Sequence, residues 1–287
     1  MFLFTLWVKG FNRIRLNIRL KVRRGVGYCL LGLLMNLLLS LPSIVSMRVA
    51  KLYDNICRRV AGMCVLSYEG FSVRSCDCEG IAVFSSIFEE EIAKILASYL
   101  GRGSVFIGIG AHVGRYSLLG SKLVGSEGFV IALEPVPETY ASLRENLRSN
   151  GVANVVALPL AAWSSNNVLE ILVPPGRSGS SAMVTRHFTG LGLRGRRISV
   201  KAVALDNLVK DLRISRVDLI KIDAEGAELE ILRGSLDIIR KYRPAIAAEV
   251  LRENLAQVLS LLRGFGYRAV LLGGDPRVAV NILFLAR

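Results

Sequence analysis

Three glycines at close spacing form the part of the sequence best suited to hold a ligand. The run Gly108-Ile-Gly-Ala-His-Val-Gly114 leaves an apolar segment and opens a helix-forming stretch at 115–124. Glycines at such a turn let the backbone approach a ligand, and a helix N-terminus offers free N–H groups. His112 lies inside this loop, where its ring could face a reacting hydroxyl or could hold the loop backbone in place.

A second candidate ligand-binding residue ends the next apolar segment. The run Phe129–Leu133 is followed by Glu134-Pro135, and a carboxylate at this position can accept hydrogen bonds from both hydroxyls of a ribose. Glycine loop and acid together predict a nucleoside-binding site of Rossmann type. Both NAD and S-adenosyl-L-methionine fit such a site, but the spacing G-x-G-x-x-x-G is longer than the dinucleotide pattern and favours S-adenosyl-L-methionine.

A group of carboxylates follows a later apolar run, Val217–Ile222. Asp223 comes directly after this run, and Glu225 and Glu228 lie within the next five residues. At the mouth of a sheet, such a carboxylate can act as a base or orient a hydroxyl, or it can cap the following helix. We predict no metal site, because nothing in the sequence fixes a set of ligands.

Apolar runs alternate with helix-forming segments from residue 103 onward, which predicts an α/β fold of three layers with a mostly parallel sheet. Only the short turn Gly273–Pro276 separates the last two runs, so these should form an antiparallel hairpin. An N-terminal extension contains a hairpin around Glu69-Gly70 and a helix over 86–100. Strands are predicted at 105–109, 129–133, 155–160, 217–222, 245–250, 267–272 and 278–285, and helices at 115–124, 138–149, 227–241 and 253–263.

A long polar stretch, 176–195, interrupts this pattern. Loops of this length in a compact domain are usually functional or disordered, and we interpret this one as part of an acceptor-binding lid. Arginines in and after it would meet an anionic acceptor, or would simply form an exposed basic loop. They are Arg177, Arg186, Arg194, Arg196 and Arg197.

Several motifs, in order, resemble those of the FkbM-type methyltransferases over about residues 80–250. They are the glycine loop, Ile131-Ala-Leu-Glu-Pro135, Asn146-Leu-Arg-Ser-Asn-Gly151, Ala161-Ala162, Ala204-Leu-Asp-Asn-Leu208, the block from Asp218 to Glu228, and Arg243-Pro244 before Glu249. The most specific is Lys221-Ile-Asp-Ala-Glu-Gly-Ala-Glu228. The resemblance implies a Rossmann-like class I methyltransferase fold and transfer of a methyl group from S-adenosyl-L-methionine to a hydroxyl.

The resemblance also implies roles for individual residues. Asp223 and Glu225 would lie beside the active centre, with His112 as a third candidate catalytic residue. The family usually has Asp where this chain has Gly108, and frequently Asn where it has His112. The candidate cofactor-binding residues are Gly108, Gly110, Ala111, Gly114, Glu134, Pro135 and Ala161.

Basic charge is concentrated at the N-terminus of the 287-residue chain. Residues 1–60 carry eleven Lys or Arg and a single acid, Asp54, and enclose the uncharged segment 25–47. Basic charge next to apolar sequence suits an anionic membrane surface better than nucleic acid. Segment 25–47 has three interpretations: a helix in the membrane plane, a helix packed against the domain, or a bilayer span.

These observations divide the chain into a basic and apolar segment over 1–60, a hairpin and lead-in helix over 61–102, and a methyltransferase domain over 103–287. The favoured function is O-methylation of a hydroxyl-bearing acceptor, such as a glycan, lipid-linked sugar or small molecule. We expect a cytoplasmic domain, on the cytosolic face of any membrane it touches, because S-adenosyl-L-methionine is a cytosolic cofactor. The alternatives are an NAD-dependent oxidoreductase and a degenerate, non-catalytic, membrane-associated binding protein.

Overall fold

The structure, a computed structural model, describes residues 65–76, 79, 83, 90–174, 182–183 and 195–287. In chain order its first elements are β1 (Leu66–Tyr68), β2 (Phe71–Val73), α1 (Glu90–Tyr99), β3 (Val105–Ile109), α2 (Arg115–Val124), β4 (Phe129–Leu133), α3 (Pro137–Ser149), β5 (Val155–Leu158), β6 (Ala161–Ala162) and β7 (Asn167–Val173). There follow β8 (Ala182–Met183), β9 (Arg196–Val203), α4 (Leu205–Asp211), β10 (Leu219–Ile222), α5 (Glu228–Arg233), α6 (Leu236–Tyr242), β11 (Ala245–Leu251), α7 (Arg252–Gly264), β12 (Tyr267–Asp275) and β13 (Ala279–Ala286).

A seven-stranded sheet forms the centre of the fold, in the order β12-β13-β11-β10-β3-β4-β5. The strands from β11 to β5 pair in parallel, whereas β13 runs antiparallel to both of its neighbours. The predicted mostly parallel sheet that ends in an antiparallel hairpin is therefore confirmed. Strands β3 and β10 are buried along their whole length, which explains why they read as nearly continuous apolar runs.

Helices cover both faces of this sheet, so successive residues of one strand enter different layers. On one face Phe106, Leu219 and Ala245 pack with α1 and α2. On the other face Ile107 and Ile220 pack with α4 to α7.

The N-terminal hairpin of β1 and β2 is present as predicted and is attached to α3 by two asparagines. The backbone N–H of Arg74 donates to Asn146 Oδ1 at 2.8 Å, and that of Ser72 donates to Asn150 Oδ1 at 2.8 Å. Asn146 Nδ2 also donates to the carbonyl of Val113 in the glycine loop. One buried side chain therefore connects the hairpin, α3 and the candidate cofactor loop.

The single helix predicted at 227–241 is wrong, because the chain forms α5 and α6 with a break between them. At Gly234 a Cβ atom would lie 2.0 Å from the carbonyl oxygen of Trp163, so only glycine permits this backbone approach. The carboxylate of Asp206 then accepts hydrogen bonds from the N–H groups of Asp237 and Ile238. These two hydrogen bonds satisfy N–H groups in the first turn of α6, which have no partner within the helix.

A smaller four-stranded sheet, in the order β6-β9-β7-β8, follows β5 and was not predicted. Two of its strands have only two residues, too short for a sequence pattern. Strand β8 falls within the predicted loop 176–195, most of which lies outside the described residues. Arg196 and Arg197 belong to β9 and form ion pairs with Glu138 and Glu170. The interpretation of these two arginines as loop residues is wrong.

The predicted membrane segment at 25–47 lies outside the described residues. Within the described ranges, no helix has both the length and the apolar character needed to cross a bilayer.

Candidate active site

Two glycines of the loop have positive φ angles, which glycine adopts without strain. Gly110 and Gly114 have φ angles of 70° and 101°, and His112 adopts a left-handed conformation with φ of 50°. Helix α2 begins at Arg115, directly after Gly114, and no side-chain hydrogen bond caps its first turn. Its N-terminal N–H groups are therefore not capped by a side chain.

The loop also touches the end of β10. A Cβ atom at Gly110 would lie 1.9 Å from the backbone oxygen of Asp223, and the N–H of Asp223 donates to the carbonyl of Ile109 at 3.2 Å. Because there is no side chain at residue 110, the ends of β3 and β10 meet directly. The fold thus brings together two regions that are more than a hundred residues apart in the sequence.

Glu134 lies at the end of β4, where the sequence places it, and it is buried. One carboxylate oxygen accepts a hydrogen bond from the N–H of His112 at 2.9 Å, and the other accepts one from the N–H of Val136 at 2.9 Å. Burial raises the pKa of this carboxyl to about 7. Each oxygen retains the capacity to accept a second hydrogen bond, so the residue fits a ribose diol.

Asp223 carries an interaction that sequence reasoning missed. Its Oδ2 lies 2.7 Å from Nζ of Lys221, whose side chain is only 6% exposed. The ammonium also lies 4.8 Å from the ring centroid of Tyr116. The signal in the sequence was a charged residue inside an otherwise apolar strand, since a buried lysine needs a partner.

The turn after Asp223 places Glu225 and Glu228 in different environments. Glu225 has a left-handed backbone conformation with φ of 47°. Burial is the main cause that raises the pKa of its carboxyl to about 8, and the nearby charges of Asp223 and Glu249 add to the effect. Glu228 is buried, and accepts hydrogen bonds from the N–H of Gly226 and from Asn254 Nδ2, each at 2.6 Å. Glu228 therefore braces the turn, whereas Glu225 lies near the other acids.

We expect the stability of the protein to fall as the pH rises from about 4.5 to about 8, because of Glu225. The unfolded chain releases this proton near the ordinary pKa of 4.5, whereas the folded chain keeps it up to about pH 8. In that window the folded state binds more protons, so raising the pH favours unfolding, by up to about 1.4 kcal/mol per pH unit for one isolated group. Denaturant unfolding at several pH values should show a flatter slope for Glu225→Gln than for the wild type. Equal slopes would contradict the retained proton.

Three further predicted site residues lie in or directly after strands, and one of them belongs to the smaller sheet. Gly108 is buried in β3, in register with Lys221 of the neighbouring strand. Ala111 follows Gly110, and its N–H donates to the carbonyl of Leu133 at 2.9 Å. Ala161 begins β6, just after the end of β5, and is in register with Ala202 of β9.

His112 contributes its backbone to the site in a defined way. The N–H of His112 donates a hydrogen bond to Glu134, and the residue is buried. Its left-handed backbone conformation turns the loop. These features favour the interpretation in which His112 holds the loop over the one in which it acts as a catalytic base. In the part of the chain that the structure describes, no group of three or more His, Cys, Asp or Glu residues is arranged to hold a metal ion.

A parallel sheet with a glycine loop after one strand and a buried acid after the next defines a nucleoside-cofactor domain of Rossmann type. The family model described as Methyltransferase FkbM domain matches residues 108–269. The chain therefore belongs to the FkbM methyltransferase family and has the class I methyltransferase fold, as the motifs predict. Family membership also indicates S-adenosyl-L-methionine as the cofactor.

Two curated relatives are similar to part of this chain. Methyltransferase sdnD of Sordaria araneosa is 27% identical over 53% of this chain and 67% of its own length. Hexuronic acid methyltransferase AglP of Haloferax volcanii is 22% identical over 53% of this chain and 58% of its own length. The chain thus spans about three fifths to two thirds of these relatives. A crystal structure of methyltransferase FkbM from Methylobacillus flagellatus KT is 18% identical, with a TM-score of 0.44, over 64% of this chain and 44% of that one.

Proposed function

We propose that the protein transfers a methyl group from S-adenosyl-L-methionine to a hydroxyl group of an acceptor that contains a sugar. The observation that carries this proposal is the joint position of Gly110, Glu134 and Asp223 at the carboxyl edge of one parallel sheet. The glycine loop and Glu134 serve the cofactor, and Asp223 lies against the same loop and faces the acceptor.

The proposed cofactor-binding residues lie mainly at the carboxyl ends of β3 and β4. Glu134 accepts hydrogen bonds from the ribose hydroxyls, while the turn at Gly110, Ala111 and Gly114 leaves room for the amino-acid part of the molecule. Pro135, which follows Glu134, and Ala161, which begins β6, complete the proposed set of cofactor-binding residues. When bound, the cofactor supplies an activated methyl group on its sulfonium centre.

Asp223 orients the acceptor hydroxyl and accepts its proton as the new bond to oxygen forms. Lys221 holds the Asp223 carboxylate in one position through its 2.7 Å contact. Because the carboxylate is already fixed, less conformational entropy of its side chain is lost when the acceptor binds. Glu225, which is protonated at neutral pH because its pKa lies at about 8, is the less suitable base and orients the acceptor instead.

A sugar acceptor is supported by one named relative. AglP of Haloferax volcanii, which is 22% identical to this chain, is named a hexuronic acid methyltransferase, and this name supports a sugar-containing acceptor. Carboxylate side chains at the edge of the sheet suit such an acceptor, because they accept hydrogen bonds from hydroxyl groups.

The cofactor-binding role of Glu134 predicts a dependence of affinity on pH. A carboxylate accepts hydrogen bonds from two hydroxyls, whereas its protonated form loses acceptor capacity, so S-adenosyl-L-methionine should bind more weakly as the pH falls through about 7. Glu134→Ala should weaken binding by about 1–3 kcal/mol, because ribose hydroxyls lose their partner. Isothermal titration calorimetry between pH 5.5 and 8.5 measures both effects.

Glu134→Gln is the matched variant, since it keeps the size of the side chain and removes its titration. Its affinity should be low and independent of pH over the same range. If wild-type affinity stays constant from pH 8.5 to 5.5, Glu134 does not bind the cofactor as a carboxylate.

A further inference from the structure

Lys221 lies at a point of the central sheet where one neighbouring strand carries no side chain. It is in register with Gly108 of β3 on one side and with Ala247 of β11 on the other. Residues paired in this way in parallel strands point to the same face of the sheet, and the strands lie about 4.8 Å apart. The FkbM motifs usually have Asp where this chain has Gly108. A carboxylate at this position would lie within reach of the Lys221 ammonium.

The face of the sheet concerned is the one that carries α1 and α2. Phe106 and Leu219 pack in that layer, and Gly108 and Lys221 follow them at a spacing of two on the same strands. Because side chains alternate along a strand, any side chain at residue 108 would enter the layer that holds Lys221. Tyr116 of α2 belongs to this layer as well.

At least two groups hold the ammonium of Lys221 in place. Oδ2 of Asp223 lies 2.7 Å from Nζ, and the ring centroid of Tyr116 lies 4.8 Å from it. An aromatic face attracts a cation at this distance, and the attraction is stronger where water is excluded. The guanidinium of Arg115 lies 5.3 Å from the same ring centroid. The buried ring of Tyr116 therefore restricts the directions in which the ammonium can turn.

Burial decides how a second carboxylate would compete for this ammonium. Residue 108 is buried, whereas the side chain of Asp223 is 27% exposed. A carboxylate at the buried position would lose more hydration and would be attracted more strongly by the ammonium, because the local dielectric is lower. Asp223 could be hydrated instead. An aspartate in place of Gly108 would therefore draw Lys221 away from Asp223.

Backbone geometry does not explain the glycine at residue 108. Its φ lies outside the left-handed region, and an added Cβ atom would lie 3.5 Å from Cζ of Phe106 and 4.0 Å from the carbonyl oxygen of Ile131. Both distances are ordinary van der Waals contacts. At Gly110, by contrast, the backbone of Asp223 leaves no room for a Cβ atom. The position of residue 108 beside Lys221 gives a different reason for the absence of a side chain.

We propose that Gly108 is a positioning residue, which leaves the Lys221 ammonium to Asp223 because it offers no competing carboxylate, and that Tyr116 holds the ammonium in this direction. The inference rests on the proposed methyl transfer, in which Asp223 accepts the proton of the acceptor hydroxyl. A carboxylate that Lys221 holds keeps one orientation toward this hydroxyl. A released carboxylate rotates, and the rate of transfer falls because the reacting groups are less often aligned.

Two substitutions of equal size test the role of Gly108 in the full chain. Gly108→Asp adds a carboxylate beside Lys221, and Gly108→Asn adds the same volume without the charge. Transfer is measured with tritium-labelled S-adenosyl-L-methionine at saturating concentration and the methyl glycosides of glucose, mannose and galactose. We expect kcat to be lower in Gly108→Asp than in Gly108→Asn by about tenfold or more. Saturation with the cofactor removes any difference in cofactor affinity from this comparison.

A double-mutant cycle measures the contact itself and does not depend on transfer. Lys221→Met and Asp223→Asn, alone and combined, give the coupling between the two side chains from urea unfolding. The cycle is then repeated in the Gly108→Asp and Gly108→Asn backgrounds. The coupling should fall by about half or more with the aspartate and persist with the asparagine. A purely structural effect of filling residue 108 would change both backgrounds alike.

Substitution of Tyr116 provides a second test that leaves residue 108 intact. Tyr116→Leu removes the aromatic face from the ammonium and should lower kcat about threefold to tenfold. Tyr116→Phe keeps the ring and should retain most of the wild-type rate. The control is Gly101→Asp, which makes the same change from glycine to aspartate at an exposed position with no heavy atom within 4 Å of the added Cβ. It should change neither kcat nor the coupling.

The outcomes distinguish this inference from the function on which it depends. Equal kcat or equal coupling in Gly108→Asp and Gly108→Asn, or faster transfer in Gly108→Asp, would overturn the positioning role and leave the methyl transfer intact. Absence of transfer to every glycoside by the wild type, with the cofactor bound, would instead overturn the proposed function. The unfolding cycle would still decide in that case whether Gly108 leaves Lys221 to Asp223.

Discussion

Replacing Asp223 by Asn is expected to reduce methyl transfer by about 10²- to 10⁴-fold, the usual contribution of a positioned acid or base. The amide has nearly the same shape, but it cannot take up the proton of the acceptor hydroxyl. It also loses the charge that holds Lys221 at 2.7 Å. Transfer of tritiated methyl groups to a neutral sugar acceptor measures the loss, and calorimetry with S-adenosyl-L-methionine should show affinity within about threefold of the wild type.

A matched control for this variant is Asp237→Asn. Asp237 lies at the start of α6, and its side chain is 78% exposed, in an ion pair with Arg240. Exposed pairs of this kind contribute little to stability, so transfer should be unchanged. Retention of more than a tenth of wild-type transfer in Asp223→Asn would remove Asp223 from the role of base and leave it as an orienting residue at most.

The largest structural effect is expected from Gly110→Ala. The added Cβ atom would lie 1.9 Å from the backbone oxygen of Asp223, and a φ of 70° is unfavourable for any residue with a side chain. Relief requires the ends of β3 and β10 to separate, at a cost of about 2–4 kcal/mol in the free energy of unfolding. Because the cofactor loop and Asp223 move apart, affinity for S-adenosyl-L-methionine should fall about 100-fold.

Gly101→Ala is the corresponding control, because a Cβ atom there has no heavy atom within 4 Å and the backbone does not have a positive φ. Chemical denaturation and calorimetry on both variants separate a general effect of losing a glycine from the specific contact at residue 110. Wild-type stability and affinity in Gly110→Ala would show that the two strand ends are not in direct contact.

The central sheet was largely predictable because the signals for it are local. The central parallel strands β3 and β10 are buried on both faces and so appear as apolar runs, uninterrupted at Val105–Ile109 and broken only by Lys221 at Leu219–Ile222. The glycine loop and Glu134 follow directly from two such runs, and the short separation of the last two runs permits only a hairpin. The turn itself was predicted too early, because Gly273–Asp275 extend β12 and the turn lies at 276–278. Sequence spacing alone therefore determined the fold class and the candidate nucleoside site.

Features that arise from contacts between distant segments were not predictable in the same way. The break at Gly234 depends on the backbone of Trp163, seventy residues earlier, and the smaller sheet depends on pairing between strands of two to eight residues. No local pattern marks either one, because the partner that stabilises it is remote in sequence.

The sequence by itself determined which residues end the strands and which chemical groups they carry. Only the tertiary structure decided which of those groups stand side by side. A charged residue, Lys221, in an otherwise apolar strand was the sequence signal for its pairing with Asp223. The residues beside Lys221 on the neighbouring strands, Gly108 and Ala247, are set only by strand register. Register likewise pairs Glu249 of β11 with Asn281 of β13 near the end of the sheet that carries Asp223. A shift of one residue would turn every side chain of a strand to the opposite face, so a polar row across several strands exists only once the whole sheet has formed.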